Sequence, residues 1–305
     1  MPEGIMKEIT SGIHPMLYAF FDEHGRLDRN AMRRQVEAVA ASGAHGVAML
    51  GLGTEVGKLS QEERSTMLSW VQQDLGGRLP LTVTIAEQTV EAAKAAVLAA
   101  ERAGAACVVL QPPAKKGLPE EEYISFFGAI ADAASVPVGV QNAPDYIGIG
   151  LSLEGIASMA DRHPNIRMLK AEGSALYASS VVGATQGRLK VFNGRCGLEL
   201  TDNLRGGCAG MIPAIESMDI QSGIFELMMT NDPACEIEAE RLYAQILPMT
   251  VFVIQSLDSF LCYGKRIAAK RLGLGPVHDR QPALKPTAAG LSWADRFAAS
   301  LPPLN

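Results

Sequence analysis

The sequence lacks what marks membrane, secreted and nucleic-acid-binding chains. It has no run of about 18 apolar residues, so no membrane-spanning helix is expected. Its start, Met1-Pro2-Glu3-Gly4-Ile5-Met6-Lys7-Glu8, lacks the positive-then-apolar order of a secretory leader. Positive charge is not in excess: 27 Lys and Arg face 33 Asp and Glu, a net charge of −6. That balance argues against a nucleic-acid partner, which would want a basic face. Cysteine is sparse and unpaired in pattern. Cys107, Cys196, Cys208, Cys235 and Cys262 are odd in number and never spaced C-x-x-C, which suits free thiols in a reducing cytoplasm. His14, His24, His45, His163 and His278 show no ligand spacing, so no metal site is expected. What the chain does have is length and apolar content. Its 305 residues, 48% of them hydrophobic, suffice for the core of one large α/β domain.

Short apolar runs alternate with longer amphipathic ones. Eight strands are expected, at Gly12–Phe20, Gly46–Gly51, Pro80–Ala86, Ala106–Pro112, Val136–Asn142, Ile166–Glu172, Leu189–Arg195 and Ala209–Ala214. Helices are expected between them, among others at Arg29–Ser42, Gln61–Leu75, Thr89–Ala103, Glu120–Ala134 and Leu153–Arg162. Ser60 with Glu63 three residues on is a capping box, and Gly43 and Gly104 stand where helices should stop. Continuous apolar strands suit a parallel sheet buried on both faces. Eight β–α units in this length predict an α/β (β/α)8 TIM barrel. A doubly wound sheet is the rival, but no G-x-G-x-x-G follows the first strand. After Ala214 the strands cease, and helices are expected at Ser217–Met229, Pro233–Leu247, Met249–Leu272 and Ser292–Ser300. The expected organisation is a barrel over residues 10–230 and a C-terminal helical extension over 231–305.

One residue carries the chemistry. Lys170 lies in Ile166-Arg167-Met168-Leu169-Lys170-Ala171-Glu172, a run that reads as a buried strand. Burying an ammonium is costly, burial favours the neutral amine, and a neutral amine attacks ketones. Glu172 lies two residues on, so both side chains point to one side, roughly 6–7 Å apart along the backbone. An imine-forming lysine beside a carboxylate can move protons on a 2-keto acid. Spacing leaves open whether Glu172 is the acid/base or only an ion-pair partner. In a barrel, the strand ends that would join this site carry Gly51-Leu52-Gly53-Thr54-Glu55, Gln141-Asn142-Ala143-Pro144, Asn193-Gly194-Arg195 and Gly210-Met211-Ile212-Pro213-Ala214.

Taken in order, these motifs resemble the dihydrodipicolinate synthase / N-acetylneuraminate lyase family of class I aldolases and dehydratases, over roughly Gly12 to Gly290. The resemblance implies that Lys170 forms an imine with the C2 carbonyl of pyruvate or another 2-keto acid, with no metal or organic cofactor. It also implies a homo-oligomer, a tetramer or dimer. Departures narrow the activity. The family tyrosine after strand five is Gln141 here, and an amide does no acid–base work near neutral pH. Both threonines of the second-strand loop are replaced, by Leu52 and Gly53. The tyrosine that a neighbouring subunit contributes in the synthase aligns with Ala114, and the synthase's arginine with Tyr146. Synthase-type condensation is therefore disfavoured.

Gln141 with Lys-x-Glu instead looks like the branch containing L-2-keto-3-deoxyarabonate dehydratase, where the glutamate at the position of Glu172 does the proton work. The expected activity is that of a cytoplasmic lyase acting on a small 2-keto acid, with dehydration of a 2-keto-3-deoxy sugar acid the favoured reaction. The alternatives are retro-aldol cleavage to pyruvate and an aldehyde, deamination of a cyclic imine acid, and a non-catalytic keto-acid-binding barrel. Expected substrate contacts are the Gly53 and Thr54 amides, the Thr54 hydroxyl, Gln141, Asn193, Arg195 and Ile212.

Overall fold

The structure is a computed structural model and describes residues 8–304. The Met1–Lys7 stretch, read above for a leader pattern, lies outside the described residues. Eight strands form one parallel sheet: β1 (Gly12–Ile13), β2 (Val47–Met49), β3 (Leu81–Ile85), β4 (Cys107–Leu110), β5 (Val138–Asn142), β6 (Ile166–Ala171), β7 (Lys190–Asn193) and β8 (Gly210–Met211). Their spatial order is β1-β8-β7-β6-β5-β4-β3-β2. The remaining seam closes through a parallel bridge between Met16 and Ala48, with the Leu17 amide donating to the Ala48 carbonyl at 2.8 Å. The expected (β/α)8 barrel is what forms. The first strand is shorter than expected, because Pro15 has no N–H for the ladder.

The helices are α1 (Arg29–Ala41), α2 (Gln61–Leu75), α3 (Val90–Arg102), α4 (Glu120–Ala131), the one-turn α5 (Pro144–Ile147), α6 (Leu153–Arg162), α7 (Ala175–Thr185), α8 (Leu200–Arg205) and α9 (Met218–Met229). The Ser60–Glu63 capping box is present, and Gly43 and Gly104 take positive φ where they follow α1 and α3. After the barrel come α10 (Pro233–Val253), α11 (Leu257–Ser259), α12 (Lys265–Arg271) and α13 (Ala288–Ala299). The expected break at Pro248 does not occur: α10 runs through it and ends at Val253. Pro248 and Ala244, the residue four earlier, are exposed, so water can take the carbonyl that the missing N–H leaves free. A turn of π-helix, Phe260–Gly264, follows α11 and leads into α12. Among the described residues no single helix is long and apolar enough to cross a membrane, and the five cysteines are free.

Strand parity decides what faces the barrel interior. Met16, Ala48, Cys107, Val109, Met168, Phe192 and Ile212 make one buried interior cluster. Ile13, Val108, Leu169 and Val191 pack instead against helices. Every second residue of β6 therefore points inward: Met168, then Lys170, then Glu172, whose amide extends the ladder to the Asn142 carbonyl at 2.9 Å.

His14 shares the interior, with its ring 5.3 Å from that of Phe192 and neither ring nitrogen hydrogen-bonded. Burial pushes its pKa from 6.5 down to about 4. The unfolded chain thus takes up this proton below about pH 6.5, whereas the folded chain refuses it until about pH 4. Stability is full above pH 6.5 and falls as the pH drops. Between pH 7 and 4.5 the loss from this residue is roughly 2–3 kcal/mol. Urea titrations at the two pH values should show that loss, and His14→Leu should remove it. An equal loss in the variant would exonerate His14.

Candidate active site

Among the described residues, two lysines are almost wholly buried, and they differ in what surrounds them. Lys265, on α12, is 1% exposed; its ammonium pairs with Glu55 and lies 5.4 Å from the centre of the Phe21 ring. Lys170, at the C-terminal end of β6, lines a cavity of about 490 Å³ including its mouth. A buried lysine that meets only protein is structural, whereas one that opens into a cavity can meet a ligand.

The cavity is sparing with polar groups. Its polar side chains are Lys170, Glu172, Tyr146 and Arg195, together with the Cys196 thiol. Met16, Leu52 and Ile212 give apolar walls from the barrel. Ile254, Leu257 and Phe260 close the top from the C-terminal helices. These last three were not foreseen, because no sequence signal places a distant helix over the barrel mouth.

Lys170 Nζ lies 3.1 Å from Glu172 Oε1. The other carboxylate oxygen, Oε2, accepts a short hydrogen bond from Gln141 Nε2. Gln141 and Lys170 are direct partners in the β5–β6 ladder, so backbone register brings the three groups together. Gln141 therefore grips the carboxylate instead of lining the cavity. The amide must present its NH2 there, since its carbonyl would face a carboxylate oxygen. Glycine at 194 makes room: a Cβ there would stand 2.3 Å from Glu172 Oε1. Gly194→Ala should therefore dislodge the carboxylate from Lys170. Turnover is expected to fall at least about tenfold, in line with the cost of losing a positioned acid/base. Circular dichroism should find the fold intact; wild-type turnover would show that Glu172 needs no such room.

Three expected contacts need correction. Asn193 faces away from the cavity, because parity turns Phe192 and Gly194 inward and Asn193 toward α8. Its Nδ2 donates to the Gly173 carbonyl and to Asn203 Oδ1, both at 2.9 Å. Thr54 is fully buried, and its hydroxyl donates to the Leu17 carbonyl at 2.6 Å, tying the loop after β2 to the barrel seam. The Thr54 amide is spent on the Gly51 carbonyl at 3.1 Å. Only Leu52 and Gly53 of that loop reach the cavity. Glu55 lies beneath it, bound to Lys265 and to Lys58.

Arg195 does reach the cavity, but from a left-handed turn beyond the end of β7. Arg195 and Cys196 have φ of 51° and 56°, a strained choice for side chains larger than glycine. Tyr146 shares the cavity with Arg195; burial raises its pKa, and the nearby Arg195 charge opposes that shift. Cys196 is no rival nucleophile. Burial, and then the charges of Glu216 and Glu172, push its thiol well above the usual range.

The sequence model of the dihydrodipicolinate synthetase family matches residues 9–288. The chain belongs to that family. Within it, an L-2-keto-3-deoxyarabonate dehydratase of Azospirillum brasilense is 29% identical over a stretch spanning 53% of each protein. A 4-hydroxy-tetrahydrodipicolinate synthase of Stenotrophomonas maltophilia is 27% identical over 97% of each. The fold also matches the sialic acid aldolase of Ruminococcus gnavus, with a TM-score of 0.85, 19% identity, and 95% of this chain and 96% of that one covered. A family member of this kind is a lyase of the aldolase, dehydratase or synthase type, acting on a small molecule.

Proposed function

We propose that the chain is an imine-forming lyase that dehydrates a short 2-keto-3-deoxy sugar acid. The observation that carries the reading is the buried Lys170–Glu172–Gln141 arrangement at the mouth of the barrel. In this reading, Lys170 Nζ adds to the C2 ketone and water leaves, giving an iminium. The iminium acidifies the C3 protons, and Glu172 takes one, leaving an enamine. The enamine expels the C4 hydroxyl, which departs as water with the proton that Glu172 returns. Tautomerisation of the resulting conjugated iminium moves hydrogen from the C5 carbinol to C3 and C4 and leaves an aldehyde at C5; hydrolysis then frees Lys170, so the net change is loss of one water. The iminium itself is the electron sink, and no metal or organic cofactor is required.

Gln141 cannot shuttle protons, which places that task on Glu172. The dehydratase relative supports this choice of reaction, although it matches only about half of each chain. Retro-aldol cleavage would use the same iminium, with the C3–C4 bond breaking instead. The test is to incubate the protein with 2-keto-3-deoxy pentonates. A 2-ketoglutarate semialdehyde product supports dehydration; pyruvate plus an aldehyde supports cleavage and replaces the reading.

A further inference from the structure

Beyond the reacting carbons, the cavity offers one cation, Arg195, and its charge is already matched. Arg195 NH1 donates to Glu199 Oε2 at 2.8 Å and to the Gly173 carbonyl at 2.9 Å. Glu199 is itself held in place. Its amide donates to the Tyr243 hydroxyl at 2.6 Å, and its Oε2 accepts from the Ala175 amide at 3.3 Å. The whole turn is fixed against its strain. Gln221 Nε2 donates to the Cys196 carbonyl at 3.2 Å, and a Cβ at Gly197 would stand 2.3 Å from Gln221 Oε1. Arg195, Cys196, Gly197 and Glu199 all take positive φ. A backbone held this way costs stability, which is tolerated where it aims a side chain.

Resting on the lyase reading above, we infer that Glu199 is a specificity-determining positioning residue, which makes Arg195 a hydrogen-bond donor for an uncharged hydroxyl at the far end of the substrate and turns away acids that carry a second carboxylate there. A guanidinium has five N–H donors, so the pair with Glu199 leaves others free for hydroxyls. A second carboxylate would gain little from a cation already paired. It would also approach Glu199 and Glu172, and like charges brought together cost binding. The Tyr146 hydroxyl beside Arg195 suits the same neutral end group.

Two five-carbon acids differ only at that end: 2-keto-3-deoxypentonate, ending in CH2OH, and 4-hydroxy-2-oxoglutarate, ending in carboxylate. Borohydride trapping of the intact protein reads how tightly each occupies Lys170, whichever reaction follows. The wild type should be half-saturated by the pentonate at a concentration about tenfold or more below that needed for the dicarboxylate. In Glu199→Gln that ratio should shrink by about tenfold, because Arg195 regains an unmatched charge. Pyruvate, which has no far end, should trap equally in both proteins. Equal trapping of the two acids by the wild type would overturn the inference. So would an unmoved ratio in a variant that still traps pyruvate. Should Glu199→Gln lose its fold, the wild-type preference remains a test that needs no variant. Absence of any pyruvate adduct in the wild type would overturn the lyase reading itself, a separate result.

Discussion

Glu172→Gln is expected to keep forming a reducible adduct with pyruvate while losing roughly 10²–10⁴-fold in turnover, the usual worth of a positioned acid/base. The substitution keeps the size of the side chain and its place beside Gln141 and Lys170. It removes the negative charge beside Lys170 and with it the ability to accept a proton. Imine formation needs the amine, which Lys170 retains, whereas the C3 proton needs a base. Gln141 offers none, and Tyr146 lies against Arg195, its pKa raised by burial. Pre-steady-state trapping with pyruvate, followed by turnover with a 2-keto-3-deoxy acid, separates the two steps. Near-normal turnover would reduce Glu172 to an ion-pair partner, the other role that its spacing from Lys170 allows.

Glu55→Gln is expected to cost about 3–5 kcal/mol of stability, because it leaves a buried ammonium without its anion. Among the described residues Glu55 is the only carboxylate paired with Lys265, whose side chain is 1% exposed. Burial already holds the Lys265 pKa below the usual lysine value, and the nearby Glu55 charge opposes that shift. Glu55 also anchors Lys58 beneath the loop that brings Leu52 and Gly53 to the cavity. Urea unfolding should show the loss. Adding Lys265→Met to the same chain should recover most of it, since an apolar side chain of similar length needs no counter-ion. A double variant no more stable than Glu55→Gln alone would mean that the pair itself is not what matters there.

The barrel was legible because its signals are local. Apolar runs at β2 through β8, the Ser60 cap and the glycines after α1 and α3 each state their own structure. Pro15 and Pro248 misled in opposite directions. One stops a ladder that the apolar pattern would extend, and the other sits in a helix whose exposed face excuses it. At the site, period two placed Lys170 and Glu172 correctly, since both lie on one strand. The same rule, applied across the ladder, puts Gln141 beside Lys170 and turns Asn193 outward. Using it requires knowing the register between strands, which a single sequence does not display. Thr54 was misread because loop geometry decides where its hydroxyl goes. The cover made by Ile254, Leu257 and Phe260, and the tie from Arg195 to Glu199, depend on packing between distant segments, which no local pattern encodes.

The central claim is that Lys170, and not Lys265, joins covalently to a 2-keto acid. The most direct measurement is the intact mass after incubation with pyruvate and borohydride, compared between the wild type, Lys170→Ala and Lys265→Met. A single reduced pyruvate adduct in the wild type and in Lys265→Met, absent from Lys170→Ala, is the expected result. An adduct that survives in Lys170→Ala, or none in any of the three, would contradict it.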